Sequence, residues 1–176
     1  GYYYSTFYTG ANAVADTQQP KVLAMSPPEG SSNVGVNAHV HIRFDEPINP
    51  ISFVPETIQT VYDSLFFGTN RQEVIYVPHL PYPGNTQITE VVPDVTDTSG
   101  NVVEPYSVIF TTGVDVDAVV PQVIGTVPFN GATNVPVNTV ITAEFNEPID
   151  PVSVTDSGFF IYDTTTGLHI AGASAV

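Results

Sequence analysis

Residues 20–52 read PKVLAMSPPEGSSNVGVNAHVHIRFDEPINPIS, and residues 121–153 read PQVIGTVPFNGATNVPVNTVITAEFNEPIDPVS. The two stretches align without a gap at an offset of 101 residues and are identical at 14 of 33 positions. Self-similarity at a fixed offset marks a repeated structural unit. The shared positions include Pro27/Pro128, Gly30/Gly131, Asn33/Asn134, Val34/Val135, Val36/Val137, Phe44/Phe145, Glu46/Glu147 and Pro47/Pro148. With one residue deleted, the correspondence runs on to Tyr62-Asp63 and Tyr162-Asp163.

A second echo precedes the first copy. Residues 3–10 read YYSTFYTG and residues 106–113 read YSVIFTTG. Each ends in Phe-x-Thr-Gly and leads through an acidic residue (Asp16, Asp117) to a proline (Pro20, Pro121). The expected organisation follows. Residues 1–13 are the last strand of a preceding unit, 19–113 one complete unit, 114–120 an acidic linker, and 121–176 the first half of a second unit.

Within the repeat, Ala38–Phe44 alternates with period 2. Val40, Ile42 and Phe44 face one way, and His39, His41 and Arg43 the other. The second copy keeps Ile141, Ala143 and Phe145 on the inner side. Glu46-Pro47 ends the strand, because proline cannot donate to a β-ladder. Val34 and Val36 are expected to point inward from the loop before it. Further strands are expected at 21–25, 57–62, 72–77, 86–92 and 105–112. Asp97-Thr98-Ser99-Gly100-Asn101 is expected to turn, with positive φ at Gly or Asn. About seven short strands in roughly 95 residues is what an Ig-type sandwich requires. The expected fold is all-β, an Ig-like β-sandwich in tandem repeat.

Composition agrees and removes several functions. The apolar residues are rich in Val, Ile, Phe and Tyr, which suit a pleated sheet, and 16 Pro and 13 Gly punctuate them. Eighteen acidic residues against three Lys and Arg give a net charge of −15. That charge repels phosphate backbones and anionic lipid, so nucleic acid is excluded as a partner. No apolar run has the length of a membrane span, so membrane insertion is not expected. With no Cys, disulfides and thiolate metal sites are excluded.

The ordered set Pro-x-Val, Pro-x-x-Gly-x-x-Asn-Val-x-Val-Asn and Phe-x-Glu-Pro-Ile-x-Pro resembles the bacterial Ig-like domain first associated with S-layer proteins. Residues 81–86, Asp97-x-x-Gly100-Asn101 and Phe110-x-Thr112-Gly113 fit it too. The resemblance covers all of 20–113 and the shorter copy. It implies an Ig-like fold and an extracellular or cell-surface setting. Such domains occur in S-layer proteins, in adhesins and as spacers in secreted enzymes, and fold alone does not choose among these.

No nucleophile elbow, HExxH or phosphate-cradling loop is present, so no catalytic residue and no enzyme activity is expected. His39 and His41 share a strand face, but Val140 and Thr142 replace them in the second copy, so an exposed, neutral pair is expected. The carboxylates recur. Glu46 matches Glu147, and Asp16 matches Asp117. Glu46, Asp97, Asp115 and Asp117 form a calcium-site candidate if strand ends cluster at one pole, since calcium takes six to eight oxygens. The alternative is that Glu46 caps a turn and the linker carboxylates are solvated; no cofactor is required. The aromatic strand of Tyr2, Tyr3, Tyr4, Phe7 and Tyr8 is read as sheet-stabilising rather than as a glycan surface.

The functional expectation is a non-enzymatic structural module that spaces or assembles domains into an array, stalk or filament. Its partners would be neighbouring Ig-like domains or other copies, including by strand complementation. An adhesin or carbohydrate-contacting module, and a spacer in a larger secreted enzyme, remain as alternatives.

Overall fold

The alternation at 38–44 sets the centre of the first copy. In the computed structural model, which describes residues 2–9, 14–53, 62–155 and 158–170, β2 (Val40–Phe44) buries Val40, Ile42 and Phe44 and leaves His41 and Arg43 on its outer side. β2 pairs antiparallel with β1 (Val22–Ser26) and with β4 (Glu73–Pro78), and β4 pairs with β3 (Tyr62–Phe67). The sheet order is β1-β2-β4-β3. A second layer is built from the hairpin β5 (Gln87–Val91) and β6 (Ser107–Thr111). The segment around Gly30–Val34 runs beside β6, with a parallel bridge from Val34 to Thr112 and hydrogen bonds from Gly30 N to Ile109 O and from Val34 N to Thr111 O.

The two layers enclose one core. Val40, Ile42, Phe44, Val74 and Tyr76 of the first meet Tyr82, Val92, Val95, Val103, Val108 and Phe110 of the second. Tyr82 and Phe110 pack edge to face at 5.6 Å. The Tyr82 hydroxyl donates to Glu90 at 2.7 Å, which satisfies both groups inside the sandwich.

The repeated Gly-x-x-Asn has a backbone cause. Gly30 and Asn33 take φ of +76° and +56°, and Gly131 and Asn134 take +83° and +57°. Gly enters this region without penalty, and Asn at lower cost than other side chains. Gly100 adopts positive φ (+94°) in the expected turn.

In the second copy, β7 (Val123–Val127) and β8 (Thr142–Phe145) reproduce β1 and β2 register for register. Val22↔Phe44 becomes Val123↔Phe145, and both hairpins carry an irregularity after that pair. β9 (Ile161–Asp163) and β10 (Leu168–Ile170) form a further antiparallel hairpin, a two-stranded sheet of its own. The described residues of this copy provide no second layer. Val36 is 8% exposed in the first copy, whereas its counterpart Val137 is fully exposed.

Apart from one 3-10 turn, Pro50–Ser52, every regular element among the described residues is a strand. No helix among them is long and apolar enough to cross a membrane. Five expected strands fall within two residues of β1, β2, β4, β5 and β6. The strand expected at 57–62 lies, except for Tyr62, outside the described residues. The strand described there is β3, Tyr62–Phe67.

Candidate cation site and the joint between the copies

The 97–101 turn brings one carboxylate inside. Asp97 Oδ1 accepts hydrogen bonds from Ser99 N at 2.7 Å and Asn101 N at 2.9 Å, and Oδ2 accepts from Asn101 Nδ2 at 2.8 Å. Asp97 is 1% exposed. Burial alone would raise its pKa, but the bonds from Asn101, Ser99 and Gly100 outweigh burial and hold the carboxyl below the usual aspartate value.

Glu46 follows directly from β2 and its stop signal Pro47. An antiparallel bridge between Ile48 and Asp97 draws this end of the chain onto the turn. Asp16 reaches the same place from the linker. Its Oδ2 accepts from Ser99 Oγ and its carbonyl from Asn101 Nδ2, each at 3.3 Å. Carboxylate oxygens of Asp16, Glu46 and Asp97 lie within 4.8 Å of one another. Loss of solvent, then repulsion from Asp16, Asp97 and Asp45, push the Glu46 carboxyl above its ordinary value. Like charges this close disfavour the charged form of the least hydrogen-bonded member.

The sequence named four carboxylates, and the structure gathers two of them. Glu46 and Asp97 converge; Asp115 and Asp117 do not join them. The Asp115 carbonyl accepts from Val36 N, and Asp117 exchanges two bonds with the Asn37 side chain: Asp117 N donates to Asn37 Oδ1 at 2.8 Å, and Asn37 Nδ2 donates to the Asp117 carbonyl at 2.9 Å. Those contacts sit at the start of β2, with Glu46 past its far end. The five residues of β2 span roughly 16 Å. The missing member is Asp16. Its recurrence as Asp117 was the available signal, but only the structure shows that a linker aspartate belongs with the unit that follows it.

The second arrangement joins the two copies. Asp150 Oδ1 accepts from Val152 N at 2.8 Å and shapes the turn after β8, while Asp150 Oδ2 meets His41 Nδ1 at 2.6 Å. Arg43 donates to the Val152 carbonyl and pairs with Glu73 at 3.4 Å. Val152 is 1% exposed. The expectation of an exposed, neutral histidine pair is corrected for half of it. His39 is exposed, but His41 is partly buried, because the second copy covers the outer face of β2. Among the described residues, 2–9 pair with no strand, and Tyr2, Tyr3, Tyr4, Phe7 and Tyr8 stand exposed.

Comparison with known proteins bears on the fold. The family model described as bacterial Ig-like domain matches residues 16–112 and again residues 117–175. No curated protein matches the chain. Among solved structures, "Structure of surface layer protein SbsC, domains 1-6" is similar at 16% identity and TM-score 0.41, over 87% of this chain and 22% of that one. "Crystal structure of the S-layer protein rSbsC(31-844)" is similar at 14% identity and TM-score 0.41, again over 87% and 22%. The N-terminal part of SbsC is similar at 15% identity and TM-score 0.41, over 87% of this chain and 37% of that one. The chain thus spans well under half the length of each.

Proposed function

Because the chain belongs to the bacterial Ig-like domain family, matched in two consecutive segments, we propose that it is a non-enzymatic structural module of an extracellular or cell-surface protein, holding successive domains at a fixed angle in an array. The observation that carries this reading is the seated joint. Val152 is 1% exposed beneath the His41–Asp150 and Arg43–Val152 contacts, and Asn37 clamps the linker at Asp117 by two bonds. A flexible tether would need neither. Backbone relaxation measured by NMR tests the joint: both copies should report one common tumbling time, and independent tumbling would overturn it. Protease shaving of intact cells tests the location. Peptides from this chain should be released without lysis; release only after lysis would count against a surface role.

The carboxylate group supports a calcium reading of the joint before the first copy. Asp16, Glu46 and Asp97 offer oxygen donors only, in a spacing that a hard divalent cation can bridge. Loss of solvent and then repulsion from Asp16, Asp97 and Asp45 raise the Glu46 carboxyl, and the repulsion is what such a cation would relieve. Bound calcium would tie the linker residue Asp16 to the body of the unit, with Glu46 and Asp97 as its anchors. Thermal unfolding with calcium and with chelator decides the matter, since identical midpoints remove the cation from the mechanism.

A further inference from the structure

The turn after Glu-Pro-Ile is built the same way in both copies. In the first, Asn49 Oδ1 accepts from Ile51 N at 3.2 Å, and the Asn49 carbonyl accepts from Ser52 N at 3.0 Å and Ser52 Oγ at 2.7 Å. In the second, Asp150 Oδ1 accepts from Val152 N at 2.8 Å, and the Asp150 carbonyl accepts from Ser153 N at 3.0 Å and Ser153 Oγ at 2.7 Å. One conformation thus presents one branched aliphatic side chain at its tip, Ile51 or Val152. The surroundings differ. Val152 is 1% exposed where its turn meets His41 and Arg43 of the copy before it, and Ile51 is 85% exposed.

We infer that the Asn49–Phe53 turn is a docking surface for a preceding Ig-like unit, with Ile51 seated on the outer face of that unit's counterpart of β2. This rests on the proposed array and on the reading of residues 3–10 as the final strand of such a unit. Three observations support it. The internal precedent is direct, since the matching turn of the second copy makes this contact with the first. The geometry of entry agrees. Asn49 N donates to the Thr96 carbonyl at 2.8 Å and Ser52 Oγ accepts from Thr96 N at 3.0 Å, so the turn lies beside Asp97, where Asp16 brings in the preceding chain. The chemistry of the tip is kept while the polar socket varies, because His41 and Arg43 correspond to Thr142 and Glu144. Asn49 stands where Asp150 does, so this joint lacks the carboxylate that meets His41. It is an apolar and amide contact.

Hydroxyl-radical footprinting reads each side chain without mutation. Two samples are compared, the 176-residue chain and the polypeptide extended upstream in its own reading frame. In the 176-residue chain, Ile51, Tyr3 and Phe7 should label strongly and Val152 should not. In the extended polypeptide, labelling at Ile51 should fall to the level of Val152, and Tyr3 and Phe7 should be protected with it. Protected Tyr3 and Phe7 with a fully labelled Ile51 would overturn the docking and leave the preceding unit standing. Strong labelling of Tyr3 and Phe7 in the extended polypeptide would overturn the preceding unit, and the docking with it.

Discussion

At the scale of residues, the two carboxylates that meet at the linker contribute to stability with opposite sign. Asp97 has its folded-state pKa depressed by hydrogen bonds. Its contribution is therefore present above the unfolded aspartate value of 3.8 and is lost as pH falls through the lower folded value. Replacing Asp97 with Ala removes the charged acceptor that the Ser99 and Asn101 N–H groups share. The expected loss is about 1–3 kcal/mol, read from the denaturation midpoint at neutral pH. Glu46 is the reverse case. Its folded value is raised, so the charged side chain destabilises the fold above that value and the penalty disappears below the ordinary glutamate value of 4.5. Glu46→Gln should raise the melting temperature at pH 7 in chelator and have no effect once Glu46 is protonated; a lower melting temperature at pH 7 would contradict the repulsion. The recurrence of Glu46 as Glu147 and of Asp16 as Asp117 was legible in the sequence. The choice of linker was not, because Asp16 and Asp117 carry the same signal and only the docking of each linker separates them.

At the scale of elements, period 2 and turn chemistry located most strands, because β2 buries one face against a core and Gly30, Asn33 and Gly100 require positive φ. β3 escaped. Its Leu65-Phe66-Phe67 run has no alternation to read, although the structure leaves Phe66 exposed and packs Leu65 and Phe67 against the core. The outward direction of His41 was legible too. That a turn 109 residues away covers it was not, since alternation reports which face a side chain takes and nothing of what lies beyond that face. The linker clamp makes a further prediction. A Cβ at Gly35 would fall 2.7 Å from the Asp117 Cβ, closer than carbon atoms approach. Gly35→Ala should push the linker off the Asn37 side chain. Amide hydrogen exchange at Asp117 and Val36 should accelerate while β2 and β4 stay protected.

At the scale of the whole molecule, the joint distributes its hold over an ion-pair geometry, an arginine on a carbonyl and one buried aliphatic side chain. Asp150→Asn keeps an acceptor for Val152 N and removes the charge facing His41. The angle between copies should broaden, seen as a larger spread of distances between spin labels placed one on each copy, with the melting of the first copy unchanged. An unaltered spread would show that packing of Val152 alone fixes the angle. β7 and β8 repeat the register of β1 and β2, and the turn after them meets the outer face of β2 through Asp150 and Val152. That face serves as a bearing. A change at His41 or Arg43, outside every core, would be read as a change of direction in the copy that follows.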